Sequence, residues 1–430
     1  MGVGSVSFMN GRRVVVVAIG SRGDVVPMVN LARRIASTGT ETEVIGLSDY
    51  SFLAVGNGIR FRSIGCSMET MRDGVIGRRG RAALRGSMAQ FRLLRHWLKR
   101  IGDDLARTLV EVVQENDFVL SGVLTHECVA ALRRYLRCRT ATVVLTGLVP
   151  SSSPESCVYA LPEMAPAWLR RARARVSWNL VTGVSRQAGK LLMQGGKKTD
   201  GAERPDEWHK VLIAASPTLV PPAPDWTSDV VQTGYPLECS RGVEPNDDRL
   251  ITLLEGEKPC VYVGFGSAGE TSDILADRLE KDVLRAAERA DVNVIVPVRR
   301  ATSSGWASPH VLRVGEIDHM WLFPRVDGIV HHGGAGTTMT GLLSGTPSTV
   351  VSFAFDQAYH GRRLAELGVG PAPVAVEKFD ASALETRLLS MTQTPESGRF
   401  NAQAQDVARV VAREDGVPRT LHALLGDTSV

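Results

Sequence analysis

Two adjacent histidines, His331 and His332, stand directly before a glycine-rich turn in HHGGAGTTMTGLLSGTPSTV, residues 331–350. The segment DGIV leads into that turn as a strand would, and TTMTGLLSG follows with helical spacing and Gly345 as its stop. A loop that leaves a strand and opens a helix presents unpaired backbone N–H groups, and the helix dipole favours an anion there. Phosphate is the expected guest. Gly333, Gly334 and Gly336 let the backbone approach it closely, Thr337 and Thr338 can cap the helix or donate hydroxyls, and His331 can donate to a phosphate oxygen. A plain turn over core histidines competes with this reading. Zinc is disfavoured, because adjacent side chains diverge and no third ligand lies at a metal spacing. His332 receives no role.

Other residues of chemical interest lie at the ends of neighbouring strands. STVVSF runs into AFDQAYHG, so Asp356 and Gln357 sit where they can reach whatever hangs off the phosphate, and a carboxylate beside an amide suits sugar hydroxyls. In VYVGFGSAGE, Gly264, Gly266 and Gly269 match GxGxxG after a strand. A dinucleotide site would want an acid after the next strand, yet VNVIVPV ends in Arg299 and Arg300, which suit a 2′-phosphate. NADP therefore stays open on this pattern but leaves HHGGAG unexplained, and Gly266 with Ser267 reads better as a second phosphate contact. Near the start, GSRGD offers Asp24 with Ser21 beside it. Asp24 reads equally as a general base or as the N-cap of the following helix.

The elements that position these residues follow one beat. RVVVVAI, a loop, the apolar-periodic MVNLARRIAS and TEVIGL give strand, loop, helix, strand, and the alternation continues to TATVVLTG. The beat restarts at CVYVGF. The expected class is α/β, with two doubly wound Rossmann-like domains facing across a cleft that is the default ligand site. Four prolines in the eleven residues SPTLVPPAPDW, 216–226, forbid regular helix. They set the expected division: an N-terminal domain over 1–215, a linker over 216–240 and a C-terminal domain over 241–430, with the last helix able to pack back on the first domain.

The 430 residues exceed what one core usually holds, which agrees with two domains. The six cysteines are scattered with no metal or disulfide spacing, no secretory leader opens the chain, and no apolar run reaches the ~18 residues of a membrane span. A soluble, cytoplasmic protein is expected. The net charge is only +4, although residues 60–107 hold twelve Arg or Lys against four Asp or Glu. Within that excess, RRGRAALRGSMAQFRLLRHWLKR (78–100) mixes arginines with apolar residues. It could touch an anionic membrane weakly, and its plainer reading is a solvated helix. Nothing marks a nucleic-acid binder.

Taken together, GSRGDVVPMVNLARRI, SPTLVPPAPDWTSDVVQTGY, VYVGFGS and the run from GEIDHMW through HHGGAGTTMTGLLSGTPSTVVSFAFDQAYHGRRLAELGVGP resemble the GT-B fold nucleotide-sugar glycosyltransferases. The likeness is to the branch holding antibiotic glycosyltransferases of the vancomycin type and sterol glucosyltransferases. It runs nearly end to end and is strongest over about 213–373. The resemblance implies direct displacement at the anomeric carbon with inversion, with no cofactor and no required metal. By motif, Asp24 would deprotonate the acceptor. Ser21, Gly266, Ser267, His331, Gly334, Gly336 and Thr337 would hold the donor diphosphate. The backbone near Ile317 would meet the nucleobase, and Asp356 and Gln357 the sugar. The plant-type motif has an acid for the ribose eight positions after the first histidine, where this chain has Met339, so UDP and dTDP donors both stay open. A hydrophobic bacterial natural product is the leading acceptor and a sterol or lipid the alternative. A sugar-nucleotide epimerase and a non-catalytic donor-binding partner are the other classes.

Overall fold

The computed structural model describes residues 13–55, 59–67, 87–133, 136, 138–195, 209–236, 242–266, 273–298, 304–414 and 416–425. It divides into two compact units, unit 1 from Met1–Glu238 with Asp415–Val430, and unit 2 from Cys239–Glu414. The expectations for Ser267, Gly269, Arg299, Arg300 and residues 78–86 lie outside the described residues.

Unit 1 is a parallel sheet of β1 (Val14–Ala18), β2 (Thr42–Gly46), β3 (Arg60–Ser63), β4 (Phe118–Gly122), β5 (Arg139–Val144), β6 (His209–Ile213) and β7 (Val230–Gln232), in the order β3-β2-β1-β4-β5-β6-β7. Its helices are α1 (Arg22–Ala36), α2 (Ser51–Val55), α3 (Ser87–Val112), α4 (His126–Leu132), α5 (Ala167–Thr182) and α6 (Arg186–Gly195). The run VVVVA of β1 is buried at every position because both faces of the sheet are covered. Alternate residues feed two cores. Val15 and Val17 pack with Leu105 and Leu109 of α3 and Val129 of α4, while Val14 and Val16 pack with Met28, Leu31 and Ile35 of α1. Trp97 and Leu98 of α3 point into the first of these cores while Arg95, Lys99 and Arg100 face solvent, so over its described side chains the basic stretch is a half-buried helix.

The proline-rich stretch does not stand alone. It runs into β7, which pairs with β6, and Gln232 Nε2 donates to the Val220 carbonyl at 2.7 Å, so residues 216–236 are tied into unit 1. The final helix also belongs there: Ala423 and Leu424 join the core under α1, and Lys210 Nζ donates to the Ala423 carbonyl at 3.0 Å.

Unit 2 contains α7 (Asp248–Leu254), β8 (Cys260–Gly264), α8 (Asp273–Ala290), β9 (Asn293–Pro297), β10 (Gly305–Ser308), β11 (Val311–Val314), α9 (His319–Leu322), β12 (Gly328–His331), α10 (Ala335–Ser344), β13 (Ser348–Ser352), α11 (Gln357–Glu366), β14 (Val374–Ala375), α12 (Ala381–Thr392) and α13 (Pro395–Val411). The helix of the chain's end, α14 (Gly416–Leu425), is the one returned to unit 1. The sheet order is β10-β11-β9-β8-β12-β13-β14, parallel except for the β10–β11 hairpin. Val261 and Val263 of β8 pack on α8 and α12, and Tyr262 on the Trp321–Phe323 side.

Candidate active site

In unit 2, β8 lies at the centre of the sheet, with β9 on one side and β12 and β13 on the other. The connections after β8 and after β12 therefore leave in opposite directions, and the gap they open at the carboxyl ends of the strands is where such sheets bind ligands. The residues at that gap are Phe265 and Gly266 after β8 and His332–Gly334 after β12, with Gly264 and His331 as register partners just beneath.

The helix that follows is α10, with Gly334 as its N-cap and Gly345 as its C-cap. Its first internal bond to the cap runs from Thr338 N–H to the Gly334 carbonyl at 2.9 Å. The amides of Ala335, Gly336 and Thr337 therefore precede the helix's own ladder and suit an anion. Thr337 is partly exposed in this first turn, while Thr338 is buried and returns its hydroxyl to the Gly334 carbonyl.

The two histidines separate in role. His331 is fully buried, and its Nδ1 accepts from Gly333 N–H at 3.1 Å. Its Nε2, which must then carry the proton in the neutral ring, is buried without a partner among the described residues. The ring shapes the turn from beneath through Nδ1, and the donation to a phosphate oxygen read from the sequence would come from this unpartnered Nε2. His332 is the imidazole of the loop. A Cβ on Gly266 would lie 2.9 Å from His332 Cε1, and one on Gly334 would lie 2.5 Å from its Nε2, so the ring fills the space between the two glycine loops. Gly266 also holds a φ of +56° that strains any side chain.

Burial lowers the pKa of His331 well below the ordinary value, helped by the neighbouring imidazoles of His332, His360 and His319. Burial likewise lowers His332, opposed by Asp356 and assisted by His360. Both rings are therefore neutral near pH 7, and an anion placed here would draw a proton toward them.

His360 of α11, unsuspected from the sequence, donates from Nδ1 to the Gly333 carbonyl at 2.7 Å and lies 3.9 Å from Asp356 Oδ2. It ties the turn after β12 to the turn after β13. Asp356 occupies the N-cap position of α11 without a capping bond, so its half-buried carboxylate is not spent on the helix. Gln357 is buried, and its Oε1 accepts from Phe353 N–H at 2.7 Å and Ala354 N–H at 3.0 Å. That oxygen builds the turn, which leaves the amide NH2 as the group able to meet a sugar. Phe355, just before Asp356, is half exposed at a φ of +54°, an unusual state for an aromatic residue.

Ile317 follows β11 at the same carboxyl edge, half-buried against the Trp321–Phe323 cluster, and Asp318 beside it caps α9 by accepting from Met320 N–H at 2.8 Å. Met339 points into the core, so it cannot occupy the ribose position. Counting from the loop histidine His332 gives Thr340, partly exposed, whose hydroxyl donates to the Gly336 carbonyl. Neither residue is acidic.

In unit 1 the corresponding switch point lies between β1 and β4, where the chain leaves β1 through Gly20 and Ser21 into α1. Asp24 forms a capping box: its Oδ2 accepts from Ser21 N–H and Ser21 Oγ–H, each at 2.8 Å. A Cβ on Gly20 would lie 2.5 Å from that oxygen, so glycine is needed for the carboxylate to fold over the helix mouth. The N-cap of α1 is therefore Ser21 rather than Asp24, which supports it from the N3 position and remains partly exposed at the carboxyl edge of the sheet.

Residues 281–418 match the model for "Erythromycin biosynthesis protein CIII-like, C-terminal domain". A sterol 3-beta-glucosyltransferase of Cryptococcus neoformans var. neoformans is 27% identical over 96% of this chain, which spans only 27% of that relative's length. Among solved structures, the glycotransferase of kitacinnamycin aligns with a TM-score of 0.65 at 16% identity, covering 96% of this chain and 98% of its own. The glycosyltransferase VinC in complex with dTDP aligns with a TM-score of 0.62 at 17% identity, covering 96% and 99%. The expected α/β class with two doubly wound units is borne out, and the chain shares the GT-B fold of these solved glycosyltransferases, while residues 281–418 are similar to the EryCIII-like C-terminal domain.

Proposed function

We propose that the chain is an inverting, metal-independent glycosyltransferase that moves a sugar from a dTDP- or UDP-sugar to a hydroxyl of a hydrophobic small molecule. The observation that carries this reading is the pair of glycine loops after β8 and β12 with the His332 ring held between Gly266 and Gly334. In this proposal the amides of Ala335, Gly336 and Thr337, with His332, receive the diphosphate. Asp356 and the Gln357 amide orient the sugar, and the backbone at Ile317 faces the base. Asp24 takes the proton from the acceptor hydroxyl, whose oxygen attacks the anomeric carbon. The bond from that carbon to the diphosphate breaks as the new glycosidic bond forms. Fixed donors aimed at the leaving oxygens stabilise the charge that develops there, which is the work a metal does elsewhere.

The solved structures of similar fold favour a natural-product acceptor, whereas the sterol 3-beta-glucosyltransferases favour transfer of glucose to a sterol, for which UDP-glucose is the donor to try. Thermal unfolding with UDP- and dTDP-sugars separates the donors, since a ligand bound only to the folded protein raises its stability. Product analysis with a polyketide aglycone and a sterol then separates the acceptors. Donor isomerised without acceptor would point instead to an epimerase, and absence of protection by every nucleotide sugar would remove the proposal.

A further inference from the structure

The helix α5 turns one face inward through Ala174, Ser177 and Val181 and leaves an apolar stripe on the opposite face. Trp168, Ala172, Val176 and Leu180 recur every fourth residue with Leu169 alongside, a row about 18 Å long at the rise of an α-helix. Trp168 is 71% exposed and Val176 59%, and Met164 just before the helix is 98% exposed. Scattered single apolar residues on a surface need no explanation, but a continuous row of this kind does.

The charges around the row have one sign. The helix holds four arginines and no acid. Arg170 and Arg171 turn away, Arg170 to the carbonyls of Ser152, Glu163 and Ala165 and Arg171 to Asp225. Arg173 and Arg175 stay exposed on either side of the stripe, with no ion pair on either among the described residues. The acids nearby are largely engaged: Glu127 pairs with Arg186 at 2.8 Å, and Asp225 accepts from Ser151 and Ser152. Glu163 is exposed before the helix begins.

We infer that this face of α5 docks unit 1 on an anionic lipid surface. Trp, Met and Leu inserted beside paired arginines are the composition of an in-plane interfacial helix, with indole at headgroup depth and guanidinium groups on lipid phosphates. A second copy of the chain is a poor occupant, because a two-fold pairing of the stripe would bring Arg173 and Arg175 against like charges. The docking inferred for α5 is in-plane, because its 16 residues carry four arginines. The inference does not rest on the transferase reading, although a lipid-dissolved acceptor would give it a use.

The test is flotation of the full chain with phosphatidylcholine vesicles and with vesicles containing phosphatidylglycerol. Binding is expected to the anionic vesicles and to weaken with salt. Each basic residue near such a surface is worth about fivefold in partitioning, so Arg173→Gln/Arg175→Gln should bind about 25-fold more weakly. Trp168→Ser/Val176→Ser should also lose binding, and brominated lipid should quench Trp168 in the parent protein alone. Circular dichroism of both variants, altered only at exposed positions, checks their folding. No flotation with anionic vesicles, equal flotation of the variants, or a concentration-dependent dimer abolished by Trp168→Ser would each overturn the inference.

Discussion

Replacing His209 by glutamine should flatten the acid side of the stability curve of unit 1. His209 opens β6 with its Nδ1 2.8 Å from Thr140 Oγ1, and its ring centroid lies 5.1 Å from that of His126, which hydrogen-bonds Thr142 and meets Trp178 edge-on. Burial, then the imidazole of His126 and the charge of Arg133, push the His209 pKa down to about 3, with Asp229 opposing. His126 is lowered in the same way, with Glu127 opposing and Arg133 assisting. A base depressed in the folded state binds fewer protons than in the unfolded chain between the two pKa values. Its contribution to stability is therefore full above about 6.5 and is lost progressively as the pH falls toward 3. At pH 5 the displacement from 6.5 costs about 2 kcal/mol through His209. Glutamine can keep a hydrogen bond to Thr140 and cannot charge. Urea titrations at pH 7, 6 and 5, read by hydrogen exchange at β5 and β6, should show wild type losing about 2 kcal/mol more than His209→Gln. Parallel curves for the two proteins would refute a buried neutral ring.

Substitutions at three other positions probe the donor loops. Gly334→Ala puts a Cβ where the His332 ring lies and should lower nucleotide-sugar affinity severalfold by calorimetry with little change in fold. Gln357→Glu keeps the acceptor for Phe353 and Ala354 and should hold the melting temperature while weakening sugar binding. Gln357→Leu should destabilise unit 2 by about 1–3 kcal/mol for each buried N–H left unpaired. Phe355→Gly removes a left-handed strain of about 1–2 kcal/mol, so unit 2 should melt no lower than wild type despite the lost ring.

Much of this arrangement is legible in the sequence. The VVVV run before GSRGD and the CVYVG run before the second glycine loop mark central strands, and Gly345 marks where α10 stops. The identity of the loop histidine is not legible, because neighbouring residues of a strand face opposite sides and the answer turns on where β12 ends. The strand ends at His331, which sends that ring inward and leaves His332 to the loop. A single histidine in AYHG likewise gives no hint that it reaches back to the Gly333 carbonyl, a contact made across 27 positions. The proline-rich stretch reads as a connector because prolines exclude helix, yet β7 directly after it finds a sheet edge that only the folded unit offers. The stripe on α5 hides for a related reason: its apolar residues look like core until the opposite face is seen to supply the buried side.

The central claim, that Asp24 is the base of a glycosyl transfer, is tested by product formation with the Asp24→Asn protein once donor and acceptor are in hand. Asparagine keeps an oxygen for the Ser21 N–H, so the cap of α1 survives. The expected result is unchanged protection by the nucleotide sugar with transfer slowed about 100- to 10,000-fold, the range for loss of a general base. Asp24→Asn turnover near the wild-type rate would contradict it.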